Sequence, residues 1–188
     1  MVWSALFTRM PSAARYRYCI AFRLVPVAQH SEARPRPGNL MNLQKLVLAR
    51  KSIIGEFPAS MTRLTRLAYL DIGGNDLDPG PIPSFFAHFT LLEHLNLSNT
   101  RRCGEIPDWI GSLPKLRKLN LSDNQLVGSL PESLAQLSYL ECLYIKNNPG
   151  LRGHIPLSLD TLPLLAGFRF DASQFNNVPV RLVSLSTQ

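Results

Sequence analysis

The sequence predicts an α/β solenoid: an arc of stacked repeats with a parallel β-sheet on its concave face and 3₁₀ or irregular segments on its convex face. Three observations predict it. The tetrad Gly-x-(Phe/Ile/Leu)-Pro occurs five times, with its prolines at 58, 83, 107, 131 and 156, so the steps are 24 or 25 residues. Apolar residues hold fixed offsets from each proline. The last two of those offsets differ by two residues, which is the period of a strand with one buried face.

Each part of the repeat follows from its offsets. Three residues after the prolines stand Met61, Phe86, Ile110, Leu134 and Leu159, and six after them Leu64, Phe89, Leu113, Leu137 and Leu162. Nine after them stand Leu67, Leu92, Leu116, Leu140 and Leu165. A spacing of three suits a 3₁₀ turn. Twelve residues on come Leu70, Leu95, Leu119, Leu143 and Phe168, and fourteen on come Ile72, Leu97, Leu121, Ile145 and Phe170. These pairs point to one side of a short strand, and the residues between them point to the other. Leu46-Val47-Leu48 supplies the first strand of the same frame, with Leu40 and Leu43 leading into it. Seventeen residues after the prolines stand Asn75, Thr100, Asn124, Asn148 and Ser173, with Lys51 in the first repeat. An amide there can satisfy backbone groups of the neighbouring turn. No repeat buries its own face, so stability comes from its neighbours.

The frame divides the chain into a leader at 1–39, a repeat domain of about six units at 40–180, and a tail at 181–188. The leader holds six of the 20 Lys+Arg residues and one acid, Glu32, so most of the net charge of +7 belongs to it. Arg9, Arg15, Arg17 and Arg23 among apolar residues and serines have the look of an organelle transit peptide. The other reading is a disordered leader or an irregular cap, in which Tyr18, Ile20, Phe22 and Leu24 alternate as a capping strand. Pro35 to Gly38 mark the boundary. No clean uncharged segment precedes a small-residue cleavage site, and no apolar run is long enough to span a membrane.

The repeat Leu116-x-x-Leu119-x-Leu121-x-x-Asn124-x-Leu126-x-Gly128-x-Leu130-Pro131-x-x-Leu134-x-x-Leu137 resembles the plant-specific leucine-rich-repeat consensus. Residues 40–180 are similar to ectodomains of receptor-like kinases and receptor-like proteins, and to polygalacturonase inhibitors. That resemblance implies a protein- or peptide-binding module in recognition or signalling. The alternatives are an inhibitor of a secreted glycosidase and a cytosolic scaffold. It implies a cell-surface or extracellular location, with the cytoplasm as the alternative. The paired cysteines that cap such domains are missing, and Cys19, Cys103 and Cys142 do not form a disulfide framework.

Nothing in the sequence selects an enzyme. His30, His88, His94 and His154 fall in different segments and make no ligand spacing with cysteine or acid, so no metal or cofactor is expected. Gly73-Gly74 lacks the Lys-Ser/Thr that follows a phosphate-binding loop. The repeats show no basic stripe interleaved with aromatics, which argues against nucleic acid. The candidate site is the outward side of the strands, where side chains have no packing duty. From it we select Tyr69, Asp71, His94, Lys118, Asn120, Tyr144, Lys146 and Arg169 as partner-binding residues. Tyrosine and arginine carry much of the energy of interfaces. Asn96 and Asn120 each open an Asn-x-Ser sequon, where a glycan would obstruct that face. Phe85 and Trp109 are expected on the lateral or convex side, stacking within the protein.

Overall fold

A computed structural model describes residues 4–6, 18–19, 23–25 and 42–186. Six three-residue strands form one parallel sheet in chain order: Lys45–Val47, Tyr69–Asp71, His94–Asn96, Lys118–Asn120, Cys142–Tyr144 and Gly167–Arg169. Their register is the one the offsets predict. Lys45 aligns in turn with Tyr69, His94, Lys118, Cys142 and Gly167. The central leucines and Phe168 align on the inner side, and Val47, Asp71, Asn96, Asn120, Tyr144 and Arg169 align on the outer side.

Every residue in the five apolar columns is buried, from Met61 to Phe170. The 3₁₀ arc explains the spacing of three. Five-residue 3₁₀ helices begin directly after each tetrad proline, at Ala59–Arg63, Ser84–His88, Asp108–Ser112, Glu132–Gln136 and Leu157–Thr161. In the fourth of these the amide of Leu134 donates to Pro131 (3.1 Å), Leu137 to Leu134 (3.2 Å) and Leu140 to Leu137 (2.9 Å). One turn of that helix per apolar residue keeps all three side chains on the core side.

A second set of parallel pairings runs behind the first sheet, at positions the periodicity leaves as irregular arc. Ile53–Gly55 pairs with Asp76–Leu77, and Cys103–Glu105 pairs with Gln125–Gly128, which pairs with Gly150–Leu151. The set is interrupted between Leu77 and Cys103, where a single bridge joins Gly80 to Arg102.

The asparagine column forms the predicted ladder. The Asn124 carbonyl oxygen accepts from the amides of Thr100 (3.0 Å) and Arg102 (2.9 Å), and its amide donates to the carbonyls of Leu97 (2.8 Å) and Leu121 (3.0 Å). Asn75 bridges its neighbours in the same way, and Asn148 accepts from the Leu126 amide and donates to the carbonyls of Leu121 and Ile145. Thr100 departs from it: its hydroxyl donates to Leu97 (2.6 Å) and reaches no carbonyl of the preceding repeat. Arg102, 3% exposed, fills that role differently. Its guanidinium donates to the carbonyls of Pro81 (3.2 Å), Asp78 and Thr100 (3.1 Å), and lies 5.2 Å from the centroid of the Phe57 ring. Ser173, the last residue of the column, is exposed and outside the ladder.

The end of the array differs from a tail. Phe175–Asn176 pairs with Gly153–His154, and a short helix at Val180–Ser186 packs on the last concave strand with Leu182 fully buried. Arg181 donates to the carbonyls of Leu162 (3.0 Å), Leu165 (3.1 Å) and Asp160, closing the last turn. At the other end, Ser4–Leu6 pairs antiparallel with Arg23–Val25, and Tyr18–Cys19 adds in parallel to Ile53–Ile54. Tyr18 and Leu24 therefore lie on two strands with different partners. Ile20, Phe22, His30, Pro35 to Gly38 and Leu40 lie outside the described residues. Deleting residues 1–38 is expected to leave a cooperatively unfolding solenoid with a thermal midpoint lowered by a few degrees, since a two-residue pairing contributes little. A collapse of the midpoint would show instead that the segment covers Leu43 and Leu46.

Candidate ligand-binding face

The outward rows of the six-stranded sheet place the selected residues in two groups. Lys118, Asn120, Tyr144, Lys146 and Arg169 gather on adjacent strands, because Lys118 aligns with Cys142 and Asn120 with Tyr144, which aligns with Arg169. The Arg169 guanidinium lies 5.3 Å from the centroid of the Tyr144 ring, a cation–π contact. Gly167 lies beneath that ring: a Cβ there would come into ordinary contact with the Tyr144 hydroxyl and the Cys142 sulfur, each at 3.4 Å. A hydrogen bond with Cys142, then burial, raises the Tyr144 hydroxyl above its ordinary pKa, so the phenol stays protonated. Lys118, Lys146 and Arg169 are exposed.

Tyr69, Asp71 and His94 form the second group, and the structure adds Lys45 to it. The Tyr69 and His94 rings stack with centroids 4.1 Å apart and planes 1° from parallel. The Lys45 ammonium sits 4.6 Å from the Tyr69 ring centroid. Burial holds the His94 imidazole below its ordinary value; Asp71 pushes it back up, while Lys118 and Lys45 push it down.

Asp71 also opens onto a hollow of about 520 Å³ at the far end of the strands, beside Arg50, Gly73, Asn96 and Ser98. The hollow lies where Gly73-Gly74 stands in place of the Ser-Asn, Ser-Asp and Lys-Asn pairs of the third to fifth repeats. A side chain at Gly73 would fall 2.9 Å from Ser98 Oγ, and Gly74 has a φ of 69°. Those two glycines mark the place in the sequence, but the walls of the hollow come from the neighbouring repeats. Lys45 had no sequence signal beyond its place in the row.

Both sequon asparagines accept or donate hydrogen bonds on this face. Asn96 Nδ2, the atom a glycan would take, donates to Asp71 Oδ1 (2.9 Å), and the Asn120 carbonyl oxygen accepts from the amide of Ser122 (3.1 Å). Phe85 packs edge-on against Phe57 (6.4 Å) and Phe86 (4.7 Å), and Trp109 lies partly buried against the core. Cys103 and Cys142 are free thiols. Among the described residues no group of three or more His, Cys, Asp or Glu could hold a metal, and no helix is long and apolar enough to cross a membrane.

A family model described as Leucine Rich repeats (2 copies) matches residues 90–136. The Arabidopsis receptor kinase HAESA, solved in complex with the peptide hormone IDA and the co-receptor SERK1, is 35% identical, with a TM-score of 0.66 over 72% of this chain and 22% of the receptor. This chain is a leucine-rich-repeat protein, with repeats of the plant extracellular type. A plant peptide hormone receptor, RGFR1 in complex with RGF2, is 30% identical to the leucine-rich-repeat chain, with a TM-score of 0.67 over 72% of it and 21% of the receptor. A plant ice-binding protein is 26% identical, with a TM-score of 0.67 over 74% of the chain and 44% of that protein. The leucine-rich-repeat chain thus spans 22% or less of the two receptors' length and under half of the ice-binding protein's. No curated protein matches it. Similar repeat arrays occur in peptide hormone receptors and in an ice-binding protein, so the fold alone does not assign a function.

Proposed function

We propose that the chain is a recognition module of the cell surface or extracellular space that binds a peptide or protein ligand on its concave face. The observation that carries this reading is the Tyr144 cluster. An aromatic centre backed by Arg169 and flanked by exposed Lys118 and Lys146 stands on a rigid sheet and has no role in the core. Tyrosine offers apolar area with a polar tip, and the cations favour an acidic or polar partner surface. The similarity to receptors solved with peptide hormones supports it.

The test begins with selection of a random peptide library on the immobilised chain. Selected peptides are expected to bind Tyr144→Ala/Lys146→Ala roughly 30-fold more weakly than the parent, the equivalent of about 2 kcal/mol. Phe85→Ala/Trp109→Ala is expected to retain affinity, with thermal unfolding confirming that both variants are folded. The reverse pattern would move the site to the lateral or convex side.

A further inference from the structure

Four outward side chains form a continuous band along the start of the concave strands. Lys45, Tyr69, His94 and Lys118 hold the same register position on four adjacent strands. The stacked Tyr69 and His94 rings fill the middle, and a lysine stands at each end. Neither lysine makes an ion pair among the described residues. Asp71, on the same outward side of these strands, belongs to the next row along the strand. Its Oδ1 already accepts from Asn96 (2.9 Å) and from the amide of Gly73 (3.1 Å). The band therefore presents two lysines outside any ion pair among the described residues, on either side of a stacked pair of aromatic rings.

Spacing decides what fits. Parallel strands lie about 4.8 Å apart, so three spacings put the Lys45 and Lys118 backbones roughly 14 Å apart. An extended peptide rises about 3.4 Å per residue, so its residues i and i+4 lie roughly 14 Å apart and share one side with i+2. In an α-helix, residues i and i+4 are only about 6 Å apart. Resting on the concave-face reading above, we propose that this band binds an extended acidic peptide segment lying across the strands. Its carboxylates at i and i+4 meet Lys45 and Lys118, and an apolar side chain at i+2 lies on the Tyr69–His94 stack.

Labelled peptides binding the full chain, read by fluorescence anisotropy, test the proposal. One peptide carries Asp at i and i+4 with Leu at i+2. A second has the same composition with the acids at i and i+3, on opposite sides of an extended chain. A third replaces both acids by lysine. The first is expected to bind roughly tenfold more tightly than the second, and the third not at all. Lys45→Glu/Lys118→Glu, which changes only exposed residues, is expected to lose the preference and at least tenfold in affinity for the first peptide. Equal affinity for the two spacings overturns the proposal, as does no binding of the first peptide. Binding that survives Lys45→Glu/Lys118→Glu but is lost in Tyr144→Ala/Lys146→Ala overturns the band while leaving the concave-face reading standing. Binding that survives both variants overturns the two together.

Discussion

Leu121→Asp is expected to unfold the solenoid, whereas Asn120→Asp, one residue away, leaves its stability nearly unchanged. Leu121 is fully buried and aligned between Leu97 and Ile145, the same step of the neighbouring repeats. Removing a buried leucine side chain costs about 2–5 kcal/mol, and a buried carboxylate with no partner adds several more. The sum exceeds the lower end of the margin of about 5–15 kcal/mol by which domains are stable. Asn120 faces outward, half-buried, and its side-chain oxygen accepts from the Ser122 amide, a bond a carboxylate also accepts. That change should stay within about 0.5 kcal/mol. Urea denaturation followed by circular dichroism measures both, and equal effects would mean that the strand register is shifted by one.

Asn124→Leu is the second large effect, although it keeps the branched shape and adds apolar area. The Asn124 side chain satisfies the amides of Thr100 and Arg102 and the carbonyls of Leu97 and Leu121, all in the interior. Leucine leaves these groups without that partner. Each buried polar group left unpaired costs about 1–3 kcal/mol, so the loss is expected to be roughly 4 kcal/mol or more. Asp at 124 accepts from the two amides but cannot donate to the carbonyls, and should be no better than leucine. The control is Thr100→Val, which deletes a hydroxyl with one short bond, to Leu97. A loss of only about 1 kcal/mol is expected there. Denaturation midpoints of the three variants set the order, and an Asn124→Leu chain as stable as the parent would remove the ladder from the account of the fold.

Leu121 and Asn124 show why so much of this fold is legible in the sequence. Each repeat solves the same packing problem, so five copies of one answer turn a weak local signal into aligned columns. The outward rows follow at once, because a period of two leaves no choice of side. Elements that occur once, or strands that bury a single residue and so show no alternation of their own, escape such reading. The second set of strands buries Leu77 and Leu126 singly, which leaves no alternation within either strand. The helix at Val180–Ser186 has seven residues, too few for a helical stripe, and declares itself only through Leu182 packing on the last strand. Arg102 reads as a surface charge until the carbonyls that surround it are known. In the candidate site, the Tyr69–His94 stack depends on two rotamers, and the hollow at Gly73-Gly74 on what the neighbouring repeat holds. Neither is a property of one repeat.

The joint between the second and third repeats gives the array a fracture line. In a stack where each unit touches only its neighbours, the weakest joint decides where the stack parts first. There the amide of the ladder is replaced by a threonine, the rear strands are interrupted, and the connecting loop carries Pro79 and Pro81, which have no amide hydrogen to donate. The buried Arg102 guanidinium clasps the two sides through backbone carbonyls, and the exposed Arg101–Asp76 pair spans the same joint. Arginine keeps its charge across all physiological acidity, so the clasp is indifferent to the pH changes that would alter a histidine. The Tyr69–His94 stack crosses the same joint on the opposite face. A ligand lying on both rings would stitch the two blocks together, and the energy it spends there would appear as resistance to parting as well as in its affinity.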